Sequence, residues 1–115
     1  MNNIYYCSKE EFLKNSKIPM RVLKDEKACM EDIAKIMFDT ILSKGDREVM
    51  VICPVGPILQ YPIFADMVNR EKISLKKCTF INMDEYLDEN GSLISAESSL
   101  SFRKAMNDYL YSRID

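Results

Sequence analysis

EVMVICP (residues 48–54) and CTFINM (residues 78–83) are the two stretches that decide the fold of this chain of 115 residues. Both are short apolar runs that lack the apolar–polar alternation of a strand with one face in water. Such runs are typical of strands buried on both faces of a parallel sheet. A turn or loop and then a helical pattern follow each run. We therefore predict parallel strands joined by helical crossovers.

Three helical patterns connect and follow the strands. Residues 20–24 form a further strand candidate, and a helix ending at Gly45 is predicted between it and residues 48–54. A second helix is predicted to begin near Ile58, and a third closes the chain. The inward faces of the three helices are carried, in chain order, by Met30, Ile33, Ala34, Met37 and Ile41; by Tyr61, Phe64, Ala65 and Val68; and by Phe102, Ala105, Met106, Tyr109 and Leu110.

The resulting order, βαβαβα, predicts the α/β class with an open parallel sheet, as a fragment of a Rossmann-like three-layer fold. Residues 1–19 are assigned to an N-terminal lead-in with one short helix, and residues 20–115 to the N-terminal part of an α/β domain. Three parallel strands leave edges and apolar faces uncovered. We therefore expect a truncated domain of a longer protein, or a tight homo-oligomer.

The composition is that of a soluble globular protein, with 47% hydrophobic and 30% charged residues. The charges are spread along the chain, and a formal net charge of -2 gives no basic patch for nucleic acid or anionic membrane. Residues 1–11 lack the layout of a signal peptide. We predict a cytoplasmic protein without a nucleic-acid or membrane partner.

The cysteines predict reduced thiols. The four of them lie more than twenty residues apart, and the chain has no histidine that could complete a zinc site. We expect three of these thiols in the core, and neither a metal nor another cofactor.

Two turns are predicted at the carboxyl ends of strands, where open parallel sheets bind their ligands. The first contains Val55, Gly56, Pro57 and Ile58. Gly56 would let backbone amides approach a ligand, and the N-terminus of the next helix favours an anion such as phosphate. A single glycine in such a turn is more often only a turn, and neither GxxxxGK[ST] nor GxGxxG is present. The residues alone leave both interpretations open.

The second turn places two neighbouring carboxylates, Asp84 and Glu85, directly after an apolar strand. One of them could face a cleft, be partly desolvated and serve as a general base. Acidic residues at the end of a strand also commonly start a turn or cap a loop. The spacing alone favours this second, structural interpretation and leaves the first one open.

A calcium loop is a further alternative for the polar segment that follows. Counted from Tyr86 as the first position, loop positions three, five, six and twelve are occupied by Asp88, Asn90, Gly91 and Glu97. However, Tyr86 cannot replace the first acidic ligand, and the preceding segment is predicted as a strand where an incoming helix is required. We therefore favour an ordinary turn at DENG.

FINMDEY (residues 80–86) resembles the glucosamine-6-phosphate deaminase/isomerase family, which shares its fold with the 6-phosphogluconolactonases. VICPVGP (residues 51–57) precedes this phrase and AESSLSF (residues 96–102) follows it, both at the distances found in the family. The order and spacing agree over residues 20–115. The motif MDEY (residues 83–86) resembles the deaminase branch of the family more than the lactonase branch.

The resemblance implies a sugar-phosphate isomerase/deaminase, which converts an amino-sugar phosphate to a ketose phosphate with release of ammonia. Asp84 would move a proton between adjacent carbons of the open-chain sugar through an enediol-like intermediate. The turn at residues 55–58 would receive the phosphate. Glu85, Tyr86 and Ser99 would contact the substrate, and no cofactor is implied.

The chain departs from the family pattern in three places. Pro57 and Ile58 stand in a turn that is rich in Gly, Ser and Thr in the family, and Ser99 stands where the family has an aromatic residue. The family's ring-opening histidine and basic phosphate ligands come from later in the chain, whereas this sequence has no histidine. Three hypotheses remain: an enzyme whose site is incomplete here, a catalytically impaired regulator that binds sugar phosphates, and an interaction domain whose acidic loop is only a turn.

Overall fold

A computed structural model describes residues 6–115 as a mixed α/β structure. Residues 1–5, which begin the predicted lead-in, lie outside the described residues. Within the described part, no helix combines the length and the hydrophobicity needed to cross a membrane. The elements are, in order, α1 (Lys9–Asn15), α2 (Glu26–Lys44), β1 (Val49–Cys53), α3 (Gln60–Glu71), β2 (Cys78–Asn82), α4 (Phe102–Tyr109) and a 3₁₀ helix (Tyr111–Arg113).

The two strands form a parallel sheet, as predicted. β1 and β2 are in register from Val49 opposite Cys78 to Cys53 opposite Asn82. α3 connects the two strands, which is the crossover that parallel neighbours require. Beyond the last pair, the N–H of Met83 donates to the Cys53 carbonyl at 2.9 Å and extends the pairing into the next turn.

The third predicted strand, at residues 20–24, is wrong, because this segment has no regular secondary structure. A strand exists only where a neighbour takes up its N–H and C=O groups, and none of the described residues pairs with this segment. A bidentate pair of Arg21 with Asp32, at 3.0 and 2.5 Å, holds the segment against α2 instead. The predicted βαβαβα order is therefore not found in residues 6–115, and the three-layer arrangement is not confirmed.

The core lies on one side of the sheet, between the strands and the three long helices. The inward face predicted for α3 is confirmed, and α2 adds Phe38, which the periodicity missed. Edge-to-face contact between Phe64 and Phe80, with ring centroids 6.3 Å apart, joins α3 to β2. The buried apolar residues are Ala34, Phe38, Ile41, Cys53, Tyr61, Phe64, Ala65, Val68, Met106 and Leu110.

The opposite face of the sheet is apolar and uncovered, which contradicts the prediction of strands buried on both faces. Met50 is 67% exposed, Ile52 59% and Ile81 42%. Their neighbours along each strand point to the helices, because successive side chains of a strand face opposite sides. The continuous apolar runs suit coverage on both faces, but the helices of the described chain cover only one.

Only one of the cysteines lies in the core. Cys53 is buried, whereas Cys29 and Cys78 are partly exposed, so the prediction of three core cysteines is wrong. All three are free thiols, in agreement with the predicted reduced state. Burial raises the pKa of the Cys53 and Cys78 thiols. A raised pKa disfavours the thiolate, so neither side chain is prepared to act as a nucleophile.

Gly45 ends α2 in a backbone conformation that favours glycine, with φ at +56°. Its N–H donates to the Leu42 carbonyl at 3.1 Å. Gly45→Ala is expected to destabilise the protein by about 1 kcal/mol and to lower Tm by about 4 °C, as measured by thermal denaturation. Gly56→Ala is the matched control, because its φ is not positive and an added Cβ would meet nothing within 4 Å. Equal losses of Tm in the two variants would contradict this account.

Candidate active site

The two predicted turns lie next to each other at one end of the sheet. Because β1 and β2 are parallel and in register, both strands end at the same edge, at Cys53 and Asn82. Residues 55–58 follow the first strand and residues 84–86 follow the second. The structure thus brings the two predicted parts of the site to the same edge of the sheet, where α/β proteins bind their ligands.

The first turn leads into an uncapped helix. α3 begins at Gln60, two residues later than predicted, and Leu59 at its N-cap position provides no side-chain hydrogen bond. The N–H groups of a helical first turn lack partners within the helix. At the start of α3 the Tyr61 N–H donates to the Ile58 carbonyl at 3.2 Å, and no side-chain hydrogen bond from the N-cap residue is present. Val55 and Ile58 are half-buried, while Gly56 and Pro57 are exposed.

Two buried polar side chains at the start of α3 donate hydrogen bonds to the backbone of this turn. The Tyr61 hydroxyl donates to the Pro54 carbonyl at 2.6 Å, and the Gln60 amide donates to the Pro57 carbonyl at 2.7 Å. Both side chains are only 1% exposed. Sequence analysis placed Tyr61 among the apolar core residues and did not single out Gln60. The sequence feature that could have indicated these hydrogen bonds is the pair of polar side chains at the start of the helix that follows residues 55–58.

The second turn separates the two neighbouring carboxylates. Asp84 is exposed, whereas the Glu85 side chain is only 9% exposed. The sequence indicated that one of the two carboxylates could be partly desolvated, and the structure shows that this one is Glu85, not Asp84. The two neighbours differ because Glu85 turns inward to the N-terminus of α4, which leaves Asp84 in the solvent. Tyr86 is half-exposed and packs its ring against Phe102 at a centroid distance of 5.1 Å.

The Glu85 carboxylate caps α4 together with Ser101. Its Oε1 accepts from the N–H groups of Tyr86 and Phe102 at 3.0 and 2.9 Å, and its Oε2 accepts from the Ser101 hydroxyl and the Arg103 N–H at 2.9 Å each. The Ser101 hydroxyl in turn accepts from the N–H of Lys104 at 3.3 Å. The first three N–H groups of α4 are thereby satisfied, which is the requirement for a stable helix start.

The hydrogen bonds also determine the protonation of Glu85. Desolvation by burial alone would raise the pKa of its carboxyl, but the N–H groups of Arg103, Phe102 and Tyr86 and the Ser101 hydroxyl outweigh it. The net result lowers the pKa of Glu85 from the ordinary value of 4.5 to about 2. Glu85 is therefore a carboxylate throughout the neutral range and is unsuited to proton transfer there.

This low pKa predicts an acid-labile contribution to stability. A carboxyl whose folded pKa lies below its unfolded value stabilises the fold above the unfolded pKa and loses that effect as the pH falls. For Glu85 the loss should occur as the pH decreases from about 4.5 to about 2. Melting curves of Glu85→Gln should therefore show a lower Tm at neutral pH and a flatter decline across this interval than the wild type. Glu89→Gln, on the exposed tip of the same loop, should retain the wild-type slope.

The loop that follows is held by an ordinary turn. Asp88 Oδ1 accepts from the N–H groups of Asn90 and Ser92 at 2.8 and 2.9 Å, and Gly91 has φ at +76°. The favoured interpretation of DENG is thus confirmed. β2, not a helix, precedes the loop, so the calcium alternative lacks its incoming helix. Across residues 6–115, no three His, Cys, Asp or Glu side chains are grouped so that they could hold a metal ion.

An open cleft of about 660 Å³ lies between the end of β2, this loop and α4. Of the predicted site residues, Asp84 and Glu85 line it, whereas the turn at residues 55–58, Tyr86 and Ser99 do not. Ser99 is exposed in the turn before α4. Sequence analysis missed the polar residues that complete the lining, although two of them stand four positions apart on one helix, the spacing that places them on one face. These are Asn82, Arg103 and Asn107.

Comparison with known proteins gives one significant similarity. The chain is 30% identical over 94 residues to the glucosamine-6-phosphate deaminase of Pseudoalteromonas translucida (strain TAC 125). The aligned region covers 82% of this chain and 33% of that enzyme, so the chain spans about one third of the length of the curated relative it matches. No family model matches the chain. No solved structure matches it either. The chain is thus similar to part of a glucosamine-6-phosphate deaminase.

Proposed function

We propose that this chain is the part of a glucosamine-6-phosphate deaminase-type enzyme that carries the catalytic base, Asp84. The observation that carries the proposal is the position of Asp84. It lies just beyond the end of β2, on an open cleft, beside the turn that leads into the uncapped start of α3. The sequence identity of 30% to such an enzyme over 94 residues supports the same assignment.

The proposed reaction needs a base that can take a proton from one carbon and return it to the next. A carboxylate suits this task, because it can hold the proton while the enediol-like intermediate exists. Asp84 is the carboxylate with access, since the hydrogen bonds of Glu85 are already committed to α4. Transfer of the proton to the neighbouring carbon yields the imine of the ketose phosphate. Water then adds to the C=N carbon, the amine leaves as ammonia, and the ketose phosphate remains.

We assign the phosphate of the substrate to the turn formed by Val55, Gly56, Pro57 and Ile58. The uncapped first turn of α3 supports this assignment, because helix N-terminal N–H groups attract anions. Tyr86 and Ser99, which are both exposed near the same loop, are assigned to the sugar side of the site. Ring opening is assigned to residues outside this chain, since the sequence contains no histidine. The cationic phosphate ligands, which the resemblance places later in the chain, are assigned there as well.

A regulator that binds sugar phosphates without turning them over is the second candidate. The observation that favours it is the composition of the phosphate turn. Pro57 has no N–H to offer, and the N-cap residue Leu59 has an apolar side chain and makes no side-chain hydrogen bond. A weakened phosphate site of this kind would reduce transition-state binding, while recognition of the sugar could persist.

The test is the release of ammonia and of the ketose phosphate from glucosamine 6-phosphate by the longest native polypeptide that carries this chain. Turnover would establish the enzyme. Without turnover, a rise in Tm with glucosamine 6-phosphate or a related sugar phosphate, but not with inorganic phosphate alone, would establish the regulator. The absence of both turnover and a Tm shift would contradict both candidates and leave the interaction domain.

We further propose a cytoplasmic homo-oligomer. The uncovered apolar face at Met50, Ile52 and Ile81 supports self-association, because large exposed apolar patches are uncommon on monomers. The exposed side chains within the two strands are uncharged, so two copies could meet there without repulsion; they are Met50, Ile52, Thr79 and Ile81. Sedimentation velocity of the native polypeptide measures this directly, and a single monomeric species over the accessible concentration range would contradict it.

A further inference from the structure

Glu85 has no acceptor site left for a ligand. A carboxylate offers about four lone-pair directions on its two oxygens. All four are occupied, because each oxygen accepts two hydrogen bonds from donors between Tyr86 and Arg103. Its side chain is also only 9% exposed. A substrate hydroxyl could bind Glu85 only by displacing one of these bonds, so direct substrate contact by this residue is disfavoured.

The same hydrogen bonds hold together the two ends of the loop that connects β2 to α4, residues 83–101. Glu85 stands at the start of the loop and bonds to residues 16 to 18 positions further along the chain. Arg103 adds a second connection, since its guanidinium lies 3.5 Å from the Glu85 carboxylate and also donates to the Ile94 carbonyl in the middle of the loop. The start, the middle and the end of the loop are therefore joined through these two side chains.

These hydrogen bonds fix the residue that directly follows Asp84. Within residues 6–115, the Asp84 side chain makes no hydrogen bond or ion pair that would fix it, and Asp84 follows Met83, whose N–H donates to the Cys53 carbonyl of β1. Its backbone is therefore held on one side by the sheet and on the other by Glu85. Charge-assisted hydrogen bonds that an ionised carboxylate accepts are among the strongest available for such a purpose.

We propose that Glu85, with Arg103, is a positioning residue that holds the loop against α4 and so fixes Asp84 at the edge of the cleft. This inference rests on the proposed function for the role of Asp84, but the closure of the loop stands on the contacts alone. Reactions that depend on a carboxylate aligned with a carbon-bound proton are sensitive to such placement, and a shift of about 1 Å can cost about 10²-fold in rate.

The first measurement is hydrogen exchange in the chain itself, which requires no activity. In Glu85→Ala the N–H groups of Phe102 and Arg103 should lose about tenfold or more of their protection, because they lose their acceptor. Glu89→Ala, on the exposed tip of the loop, should leave their exchange unchanged. Unchanged protection in Glu85→Ala would overturn the closure of the loop.

The second measurement is turnover of glucosamine 6-phosphate by the native polypeptide, per folded molecule. A positioning role predicts a fall in kcat of about 10²-fold in Glu85→Ala, with KM changed by less than about threefold and partial recovery in Glu85→Gln, which keeps one acceptor oxygen. A fall in Tm with kcat unchanged would overturn the positioning role and leave a structural cap. A wild type without turnover would contradict the proposed function. The hydrogen-exchange experiment would still test whether Glu85 holds the loop against α4.

Discussion

Asp84→Asn is expected to reduce the turnover of glucosamine 6-phosphate by about 10²-fold to 10⁴-fold in the native polypeptide that carries this chain. The amide is nearly isosteric with the carboxylate but cannot accept the carbon-bound proton. Because Asp84 is exposed and its side chain makes no hydrogen bond to the part of the chain that the structure describes, the fold should be unaffected. The expected change is therefore in kcat, with Tm within about 1 °C of the wild type.

Asp66→Asn is the matched control for this substitution. Asp66 is exposed on α3 and does not line the cleft, and its substitution replaces a carboxylate by an amide as in Asp84→Asn. It should retain wild-type kcat and Tm. Turnover by Asp84→Asn equal to that of Asp66→Asn would exclude Asp84 as the base, even if the protein is a deaminase.

Phe64→Ala is expected to have the largest effect on stability. Phe64 is fully buried, and its ring meets Phe80 of β2, so its removal leaves a cavity where α3 joins the sheet. Such truncations cost about 3–5 kcal/mol, a large part of the roughly 5–15 kcal/mol that stabilises a typical domain. Urea denaturation should show a midpoint lowered by at least about 1 M, or no folded baseline at room temperature.

Phe12→Ala provides the comparison for the same deletion on the surface. Phe12 is 42% exposed, on α1, which buries none of its residues. Its replacement should cost less than about 1 kcal/mol. Similar denaturation midpoints for the two variants would mean that the core does not lie between α3 and β2.

The sequence predicted the elements that local pattern determines. The inward face of α3, the end of α2 at Gly45 and the parallel pairing of the two apolar runs follow from periodicity, glycine and strand composition. The strand at residues 20–24 and the double burial of the sheet were wrong for one shared reason. Both depend on what lies next to a segment in space, and no local pattern encodes the presence of a neighbouring strand or a covering helix.

The site was predicted in part. The position of Asp84 after the second strand followed from the topology, as did its proximity to the turn at residues 55–58. Which of two adjacent carboxylates would be buried was not predictable, since the partners of Glu85 come 16 to 18 residues later. The serine at the start of α4 showed where that helix begins, but not that a distant carboxylate would help to cap it.

The uncovered sheet face changes how the protein must be monitored in solution. Dyes such as ANS fluoresce on exposed apolar surface and are commonly used to detect partly unfolded states. Here Met50, Ile52 and Ile81 present such a surface in the folded protein. The proposed homo-oligomer would cover this face, so folded monomers released on dilution should bind the dye before any unfolding. Dye fluorescence that changes during a thermal scan would then report dissociation as readily as loss of structure. Circular dichroism, which follows the backbone, avoids this ambiguity.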